Sequence, residues 1–362
     1  MNGFSRTFLN EDWKARPKVP RFYLCAFGKH PGWNDHLDDI GVNTASLIEA
    51  RRILYGGIAH QIESAAWQKA GPEKVTMGFD HIIQWSRPGE SICGLMWSSQ
   101  DGKGRSLYPM ITLAHCAGQP FDWVGATVLP ELEETAAKCR SASSAETVIA
   151  LVNDTQQRLR SRAPESAGER PAPSWAGVAS WAAYFSREPE GLRRVLHHLR
   201  GHFAAFAPGC LEWCEGEKTA RSGSMRLPQI PGLKPAESLN AWLAFLSTQL
   251  NPIVPLLGLL PASGDWVDVI IGEPTPGDFF GLRALPAAVP RLTEIPYQLD
   301  RVMQAGFGGI FDDLARGLLP VKSCFNNELV ETSREEAARW LMRHRPSEKP
   351  GFFNRFLRSG NS

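Results

Sequence analysis

Residues 22–35 read Phe-Tyr-Leu-Cys-Ala-Phe-Gly-Lys-His-Pro-Gly-Trp-Asn-Asp, and they begin the first regular structure of the chain. The first six residues are apolar or aromatic, which is typical of a buried β-strand. Gly28 and Pro31 then end the run, because both residue types interrupt regular structure. We therefore expect a strand over residues 22–27 and a loop from about Gly28 to Gly41.

Helical periodicity follows this loop. From Ser46 to about Lys69, apolar residues recur every three to four positions, which predicts an amphipathic helix with Thr44 or Ser46 as its N-cap. The same periodicity predicts helices over about residues 125–139 and 145–162.

Between these helices lie three extended segments, at about residues 79–85, 91–97 and 107–116. The turn sequences Ser-Arg-Pro-Gly and Asp-Gly-Lys-Gly separate them. Because short loops join neighbouring strands, the sequence predicts an antiparallel meander.

The second half also combines helices with short strands. One helix should end before Pro208 and a second should cover residues 235–250. Residues 253–260, 266–272 and 279–285 then predict a second small meander. The predicted fold class is therefore α/β in the broad α+β sense, with a second small α+β region.

Composition shifts suggest where these regions begin and end. The predicted divisions are an irregular lead-in at residues 1–20, a first domain at 21–163, a linker at 164–174 and a second α+β domain at 175–320. Residues 321–362 are predicted to form a C-terminal helix, a further linker and an amphipathic tail.

The overall composition narrows the class of function. The chain has 362 residues, 43% of them hydrophobic, with 39 Lys and Arg against 38 Asp and Glu, so its formal net charge is +1. No whole-molecule field would attract nucleic acid or an anionic membrane. Seven scattered cysteines indicate reduced thiols, and no run of about 18 apolar residues occurs. We expect a cytoplasmic protein that does not bind nucleic acid.

Motifs for nucleotides, metals and nucleophilic catalysis are weak. Residues 28–30 and 102–105 lack P-loop spacing, and residues 306–309 do not match the dinucleotide fingerprint. No GxSxG elbow or HExxH helix occurs. We expect no enzyme activity and no cofactor.

One metal alternative stays open at this point. His198, His202, Cys210 and Cys214 have the residue types of a zinc site, but their order differs from that of ordinary zinc fingers. Packing in an apolar core explains them equally well.

Two segments resemble the signatures of the TagF-like proteins associated with type VI secretion. Residues 27–35 resemble the GKLPxxGDF signature, which directly follows an opening strand, and Gly28, Lys29, Pro31 and Asp35 match it. Asn34 stands where the signature has Gly, and His36 where an aromatic residue is expected.

The second segment, residues 94–105, is similar to that family's strand ending in SxDxxGR. Its matching residues are Ser99, Asp101, Gly104 and Arg105. The resemblance covers about residues 22–116 of the chain.

This resemblance implies a longin-like or profilin-like antiparallel sheet with helices. It also implies a non-enzymatic, cytoplasmic regulator that restrains type VI secretion assembly after translation. The implied partners are type VI secretion components, among them a forkhead-associated scaffold protein or a phosphatase arm. Two alternatives are a longin- or roadblock-like scaffold for a small GTPase and a metal-assisted hydrolase that uses the Asp-rich first loop.

The charged residues of both signatures lie beside predicted strand ends of one small sheet. We therefore expect Lys29, Asp35, Asp101 and Arg105 to converge in a charge cluster that joins two loops. Either mutual ion pairing or direct contact with a partner would explain such a cluster.

The C-terminus carries a further candidate contact. On a helix, Phe352, Phe353, Phe356 and Leu357 would share one face, and residues 343–362 have five Lys or Arg and one Glu. This tail is a candidate for docking on protein or on a membrane surface.

Overall fold

The computed structural model describes residues 21–119, 123–163, 175–207, 222–251, 253–296, 301–318 and 324. In these parts of the chain, eight strands form one open antiparallel sheet of order β2-β1-β5-β4-β3-β7-β8-β6. The strands are β1 Arg21–Lys29, β2 His36–Ile40, β3 His81–Arg87, β4 Glu90–Trp97, β5 Met110–Ala117, β6 Gly223–Pro228, β7 Leu256–Pro261 and β8 Trp266–Ile271.

Helices pack on both faces of this sheet. The α-helices are α1 Ala45–Glu63, α2 Ala66–Ala70, α3 Leu129–Ser141, α4 Ala145–Arg162, α5 Trp175–Arg187, α6 Pro189–His202, α7 Pro235–Gln249 and α8 Arg301–Ala315. A π-helical turn, Val124–Val128, leads into α3, and 3₁₀ turns cover Ala204–Phe206, Pro276–Leu282 and Leu292–Glu294. The mixed α+β class predicted from the sequence is confirmed.

The predicted strand pattern is largely confirmed, with three corrections. β2 lies inside the segment predicted as a loop, because its residues His36–Ile40 are mostly polar and carry no apolar run. β6 was not predicted, since its apolar run is interrupted by Arg226. Residues 279–285 were predicted as a strand, but Phe279–Leu282 belongs to a 3₁₀ turn that begins at Pro276, with Pro-Gly as its first two residues.

Helix predictions differ mainly at their ends. The predicted helix 46–69 divides after Glu63, because Ala65 adopts a left-handed conformation with φ of 53° before α2 begins. Thr44, rather than Ser46, caps α1, since its side chain accepts a hydrogen bond from the Leu47 amide. The prediction for α4 matches its observed bounds, Ala145–Arg162.

The core consists of apolar clusters on the two faces of the sheet. On one face, α1, α2 and the 3₁₀ turn Pro276–Leu282 pack around buried residues such as Trp85. On the other face, α3 and α4 cover the β1 side of the sheet, and α5–α8 cover the β6 side around Trp242. None of the described helices is long and apolar enough to cross a membrane.

Strands from both predicted domains belong to the same sheet. β3 pairs with β7 over six residue pairs, from His81 with Pro261 to Ser86 with Leu256. On the helical layer, the Arg283 guanidinium lies 5.0 Å from the Trp67 ring centroid. The first and second regions are therefore joined by backbone pairing and by side-chain packing.

Candidate functional site

Strand pairing brings the two signature segments together. Lys29 is the last residue of β1, and residues 101–105 lie in the connection between β4 and β5. Because β5 pairs with both β1 and β4, Met110 is opposite Gly28 on one side and Trp97 on the other. Both segments consequently leave the sheet at the same end.

The inner half of the site is a buried ion pair. The Lys29 ammonium lies 3.0 Å from Asp101 Oδ2, and the two side chains are 5% and 0% exposed. Asp101 Oδ1 also accepts hydrogen bonds from the Lys103 and Arg105 backbone amides, at 2.9 and 3.0 Å. Asp101 thus neutralises Lys29 and stabilises its own turn, residues 101–105.

The outer half consists of Asp35 and Arg105, whose side chains are 68% and 51% exposed. Asp35 Oδ1 lies 2.7 Å from the Lys29 ammonium and 3.2 Å from Arg105 Nη2. Arg105 Nε lies 2.7 Å from Asp101 Oδ2, and its Nη2 donates to the Asn34 carbonyl at 2.8 Å. Lys29, Asp35, Asp101 and Arg105 therefore converge as expected, and together we term them the ion-pair cluster.

The surroundings keep both carboxylates ionised. The Lys29 hydrogen bond lowers the pKa of Asp35 to about 2, and nearby Arg105 acts in the same direction. Burial alone would raise the pKa of Asp101, but hydrogen bonds from Arg105, Lys29 and Lys103 hold this pKa below its usual value. Two cations and two anions consequently balance within the ion-pair cluster.

Gly28 fits a position that a side chain would block. Its φ is +121°, and a Cβ there would lie 2.2 Å from the Pro109 carbonyl oxygen. The adjacent Lys29 amide donates to that carbonyl at 3.2 Å. Glycine therefore permits the close approach of β1 to the segment that precedes β5.

Gly104 supports the second turn. Its φ is +79°, and its amide donates to the Asp101 carbonyl at 2.8 Å. The Gly102 amide donates to the Trp33 carbonyl at 2.7 Å, which ties this turn to the first loop. The backbone thus joins the two signature segments independently of their charges.

His30 anchors the first loop to the helical layer. Its Nδ1 accepts a hydrogen bond from the Gly32 amide at 3.0 Å, so Nε2 carries the proton and donates to the Cys139 carbonyl at 2.9 Å. Pro31, which matches the first signature, is exposed at the loop tip.

Ser99 does not take part in the described hydrogen bonds of the ion-pair cluster. Its side chain is half-buried at the end of β4, while the neighbouring Ser98 Oγ accepts a hydrogen bond from the Phe79 amide at 2.9 Å. In the described contacts it is therefore Ser98, and not Ser99, that joins the end of β4 to the segment before β3.

Aromatic rings border the ion-pair cluster, and the sequence reasoning did not identify two of them, Tyr55 and Tyr108. His36 Nδ1 lies 3.2 Å from Asp35 Oδ1, and the His36 ring lies 5.3 Å from Tyr108 and 5.8 Å from Tyr55. Tyr55 follows Arg51 by one helical turn on α1, and Arg51 Cζ lies 5.5 Å from its ring centroid. A clue in the sequence was this i, i+4 spacing of cation and aromatic ring.

A second polar network joins α1 to the sheet. His115 Nε2 lies 2.8 Å from Glu90 Oε2, and its Nδ1 lies 3.1 Å from Thr44 Oγ1. Burial opposes ionisation of Glu90, but the His115 hydrogen bond helps to lower its carboxyl pKa. The Thr44 oxygen also accepts from the Leu47 amide, so this network fixes the start of α1.

The metal alternative is not supported by a ligand cluster in the described ranges, where no group of three or more His, Cys, Asp or Glu side chains is placed to hold an ion. The His198 and His202 rings lie 4.3 Å apart, and burial lowers the pKa of His198 to about 4. Cys210 and Cys214 lie outside the described residues, as does the tail with Phe352, Phe353, Phe356 and Leu357.

Comparison with solved structures gave a weak structural likeness. No protein-family model and no curated protein matches the sequence. A similar solved structure is PA0076 from Pseudomonas aeruginosa PAO1, with 14% sequence identity, coverage of 76% of this chain and 99% of that chain, and a TM-score of 0.35. A likeness at this TM-score supports no conclusion about family or function.

Proposed function

We propose that this chain is a non-enzymatic, TagF-like accessory protein of type VI secretion that acts through protein contacts in the cytoplasm. The observation that carries the proposal is the ion-pair cluster. The first resembling segment meets the second through two ion pairs, Lys29 with Asp101 at 3.0 Å and Asp35 with Arg105 at 3.2 Å. The charged residues of the two resembling segments thus form one structural unit.

Beside the exposed half of this unit lie the His36 ring and the half-buried rings of Tyr55 and Tyr108. The contact surface, as we define it, comprises Asp35, His36, Arg51, Tyr55, Arg105 and Tyr108. Ring centroids of His36, Tyr55 and Tyr108 lie within 5.3 to 5.8 Å of one another. Arginine and tyrosine are enriched among the residues that dominate binding energy at protein interfaces.

The cluster itself is better suited to organising a surface than to carrying out chemistry. Each of its four charged side chains contacts an opposite charge, and Asp101 in addition holds two backbone amides. Such an arrangement fixes side-chain positions and lowers the ordering cost of binding. We infer a partner among type VI secretion components, either a forkhead-associated scaffold protein or the phosphatase arm, and a role in restraining assembly.

A pull-down with a charge-reversal variant tests this proposal. Intact protein, Arg105→Glu and the control Arg187→Glu would be used as baits in lysate of a bacterium that carries type VI secretion genes. Arg187 is also an exposed arginine, but it lies on α5 and donates to the Ala183 carbonyl of its own helix at 3.2 Å. Circular dichroism and thermal unfolding would establish that each bait is folded.

We expect the intact protein and Arg187→Glu to retain a type VI scaffold or phosphatase component, identified by mass spectrometry. Arg105→Glu should retain about 30-fold less, which is the effect of removing an interface residue worth about 2 kcal/mol. Equal retention by Arg105→Glu would contradict a contact at this surface. A small GTPase as the retained partner would favour the scaffold alternative instead.

A further inference from the structure

The Asp35 carboxylate uses only one of its two oxygens in the described contacts. Oδ1 receives the Lys29 ammonium at 2.7 Å, the His36 amide at 2.9 Å, His36 Nδ1 at 3.2 Å and Arg105 Nη2 at 3.2 Å. None of these contacts involves Oδ2, and the side chain is 68% exposed. Asp35 thus has capacity to accept a further donor from outside.

This acceptor is held in place before any partner arrives. The Lys29 ammonium that positions Asp35 is itself fixed by Asp101 in the interior. Asp35 is anionic at neutral pH even with its ordinary pKa of 3.8, and the Lys29 hydrogen bond favours the charged form further by lowering this pKa to about 2. A partner cation would therefore meet a charge that needs little reorganisation.

The neighbouring rings favour arginine over lysine. His36 Nδ1 lies 3.2 Å from Asp35 Oδ1, and the half-buried Tyr108 ring lies 5.3 Å from the His36 ring. A planar guanidinium can stack on an aromatic ring while donating to a carboxylate, whereas an ammonium is a compact, strongly hydrated charge. Aromatic and acidic groups together therefore match an arginine side chain.

The contact surface already contains such an arrangement. Arg51 lies over the Tyr55 ring at 5.5 Å and donates through Nε to Asp39 Oδ1 at 2.8 Å. Asp35 and Tyr108 provide the same pair of chemical groups, but the described residues supply no arginine that stacks on the Tyr108 ring. The internal example shows that this surface accommodates arginine between a ring and a carboxylate.

β2 begins at His36, directly after Asp35, and it is the terminal strand of the described sheet. Among the described residues it pairs only with β1. An exposed terminal strand can accept an extended segment of another protein as an additional strand. Side chains of such a segment would run past Asp35.

We propose that the contact surface binds an extended partner segment along β2, with one arginine of that segment placed between Asp35 and Tyr108. This inference rests on the proposed function and specifies the chemistry of the partner. Asp35 Oδ2, which none of the described contacts uses, would accept from this arginine, and the partner supplies the arginine.

Peptide binding provides the test. The probes are dye-labelled, capped octapeptides of sequence Thr-Val-Thr-Arg-Thr-Val-Thr-Thr, with citrulline or lysine replacing arginine in matched peptides. Citrulline keeps the planar shape but has no charge. Fluorescence anisotropy with the intact protein would give the affinity of each peptide.

We expect the arginine peptide to bind between about 3-fold and 30-fold more tightly than the citrulline peptide, as follows from one exposed ion pair plus one cation–π contact. Asp35→Asn should weaken the arginine peptide but leave a smaller preference over citrulline, because the cation–π contact with Tyr108 remains. Tyr108→Leu should weaken the arginine peptide more than the lysine peptide. Glu49→Gln, on an exposed carboxylate already bound by Arg52, should leave affinity unchanged.

Equal affinity for arginine and citrulline peptides, no measurable binding, or an unchanged affinity in Asp35→Asn would overturn the inference. These results are separable from the pull-down. If Arg105→Glu loses its secretion partner while arginine and citrulline peptides bind equally, the proposed function stands and the arginine inference is wrong.

Discussion

Gly57 offers a direct test of how the two predicted regions pack. Gly57 lies on α1, and a Cβ built there would be 2.2 Å from Phe279 Cδ2 and 2.4 Å from Cγ. Phe279 is fully buried in the 3₁₀ turn Pro276–Leu282, so its ring has little room to move. Gly57→Ala should therefore introduce overpacking that costs about 1–3 kcal/mol.

Gly56 is the matched control, because it is the preceding residue of the same helix and a Cβ there has no atom within 4 Å. Gly56→Ala should stabilise the protein by about 0.5–1 kcal/mol, which is the helical advantage of alanine over glycine. The same advantage applies to Gly57→Ala. The difference in unfolding free energy between the variants therefore isolates the clash with Phe279, at about 1–3 kcal/mol.

Urea unfolding followed by tryptophan fluorescence and by circular dichroism would measure both free energies. Coincident transitions in the two signals would justify a two-state treatment. If Gly57→Ala proved as stable as Gly56→Ala, the placement of Phe279 against α1 would be wrong. The first region would then lack the close contact with the second that we infer between Gly57 and Phe279.

Two further predictions concern buried and exposed ion pairs. Asp268→Ala should lower the free energy of unfolding in urea by about 3–5 kcal/mol, because the fully buried Arg226 loses its carboxylate partner at 2.7 Å. A loss below about 1 kcal/mol would contradict a buried ion pair. The carboxyl carbon of Asp35, followed by NMR, should titrate near pH 2 rather than 3.8. The contribution of this carboxylate to stability is therefore present above pH 3.8 and is lost as the pH falls through about 2. Lys29→Met should return the titration midpoint toward 3.8, and an unchanged midpoint would exclude Lys29 as the cause of the shift.

The elements predicted well are those whose side chains alone determine their structure. β1 and β4 are nearly continuous apolar runs, and the residues of α4 place Val148, Val152 and Leu159 on one buried face. Hydrophobic periodicity identifies such segments because burial provides most of their stabilisation.

The elements that were missed depend on distant partners. β2 is polar and forms because β1 offers it a pairing edge. β6 contains Arg226, which is tolerated in a buried strand only because Asp268 of β8 neutralises it. Neither pairing can be deduced from the local composition of the strand itself.

The same distinction applies to the candidate site. Convergence of Lys29 and Asp101 was predictable, since both lie beside strand ends of one small sheet and carry opposite charges. The contribution of Tyr55 and Tyr108 was not predicted, because it depends on where α1 crosses the sheet relative to the loop before β5. Local sequence does not determine that crossing.

The buried half of the ion-pair cluster explains how its exposed half can serve in recognition. An exposed ion pair such as Asp35 with Arg105 contributes little on its own, because both side chains lose entropy and water screens their charges. Here Lys29 and Asp101 hold the two side chains from below, at 2.7 Å in each case. The ordering cost is thus met largely when the chain folds rather than when a partner binds. Loss of the interior pair should therefore weaken partner binding as well as folding, even though neither Lys29 nor Asp101 is exposed to the partner.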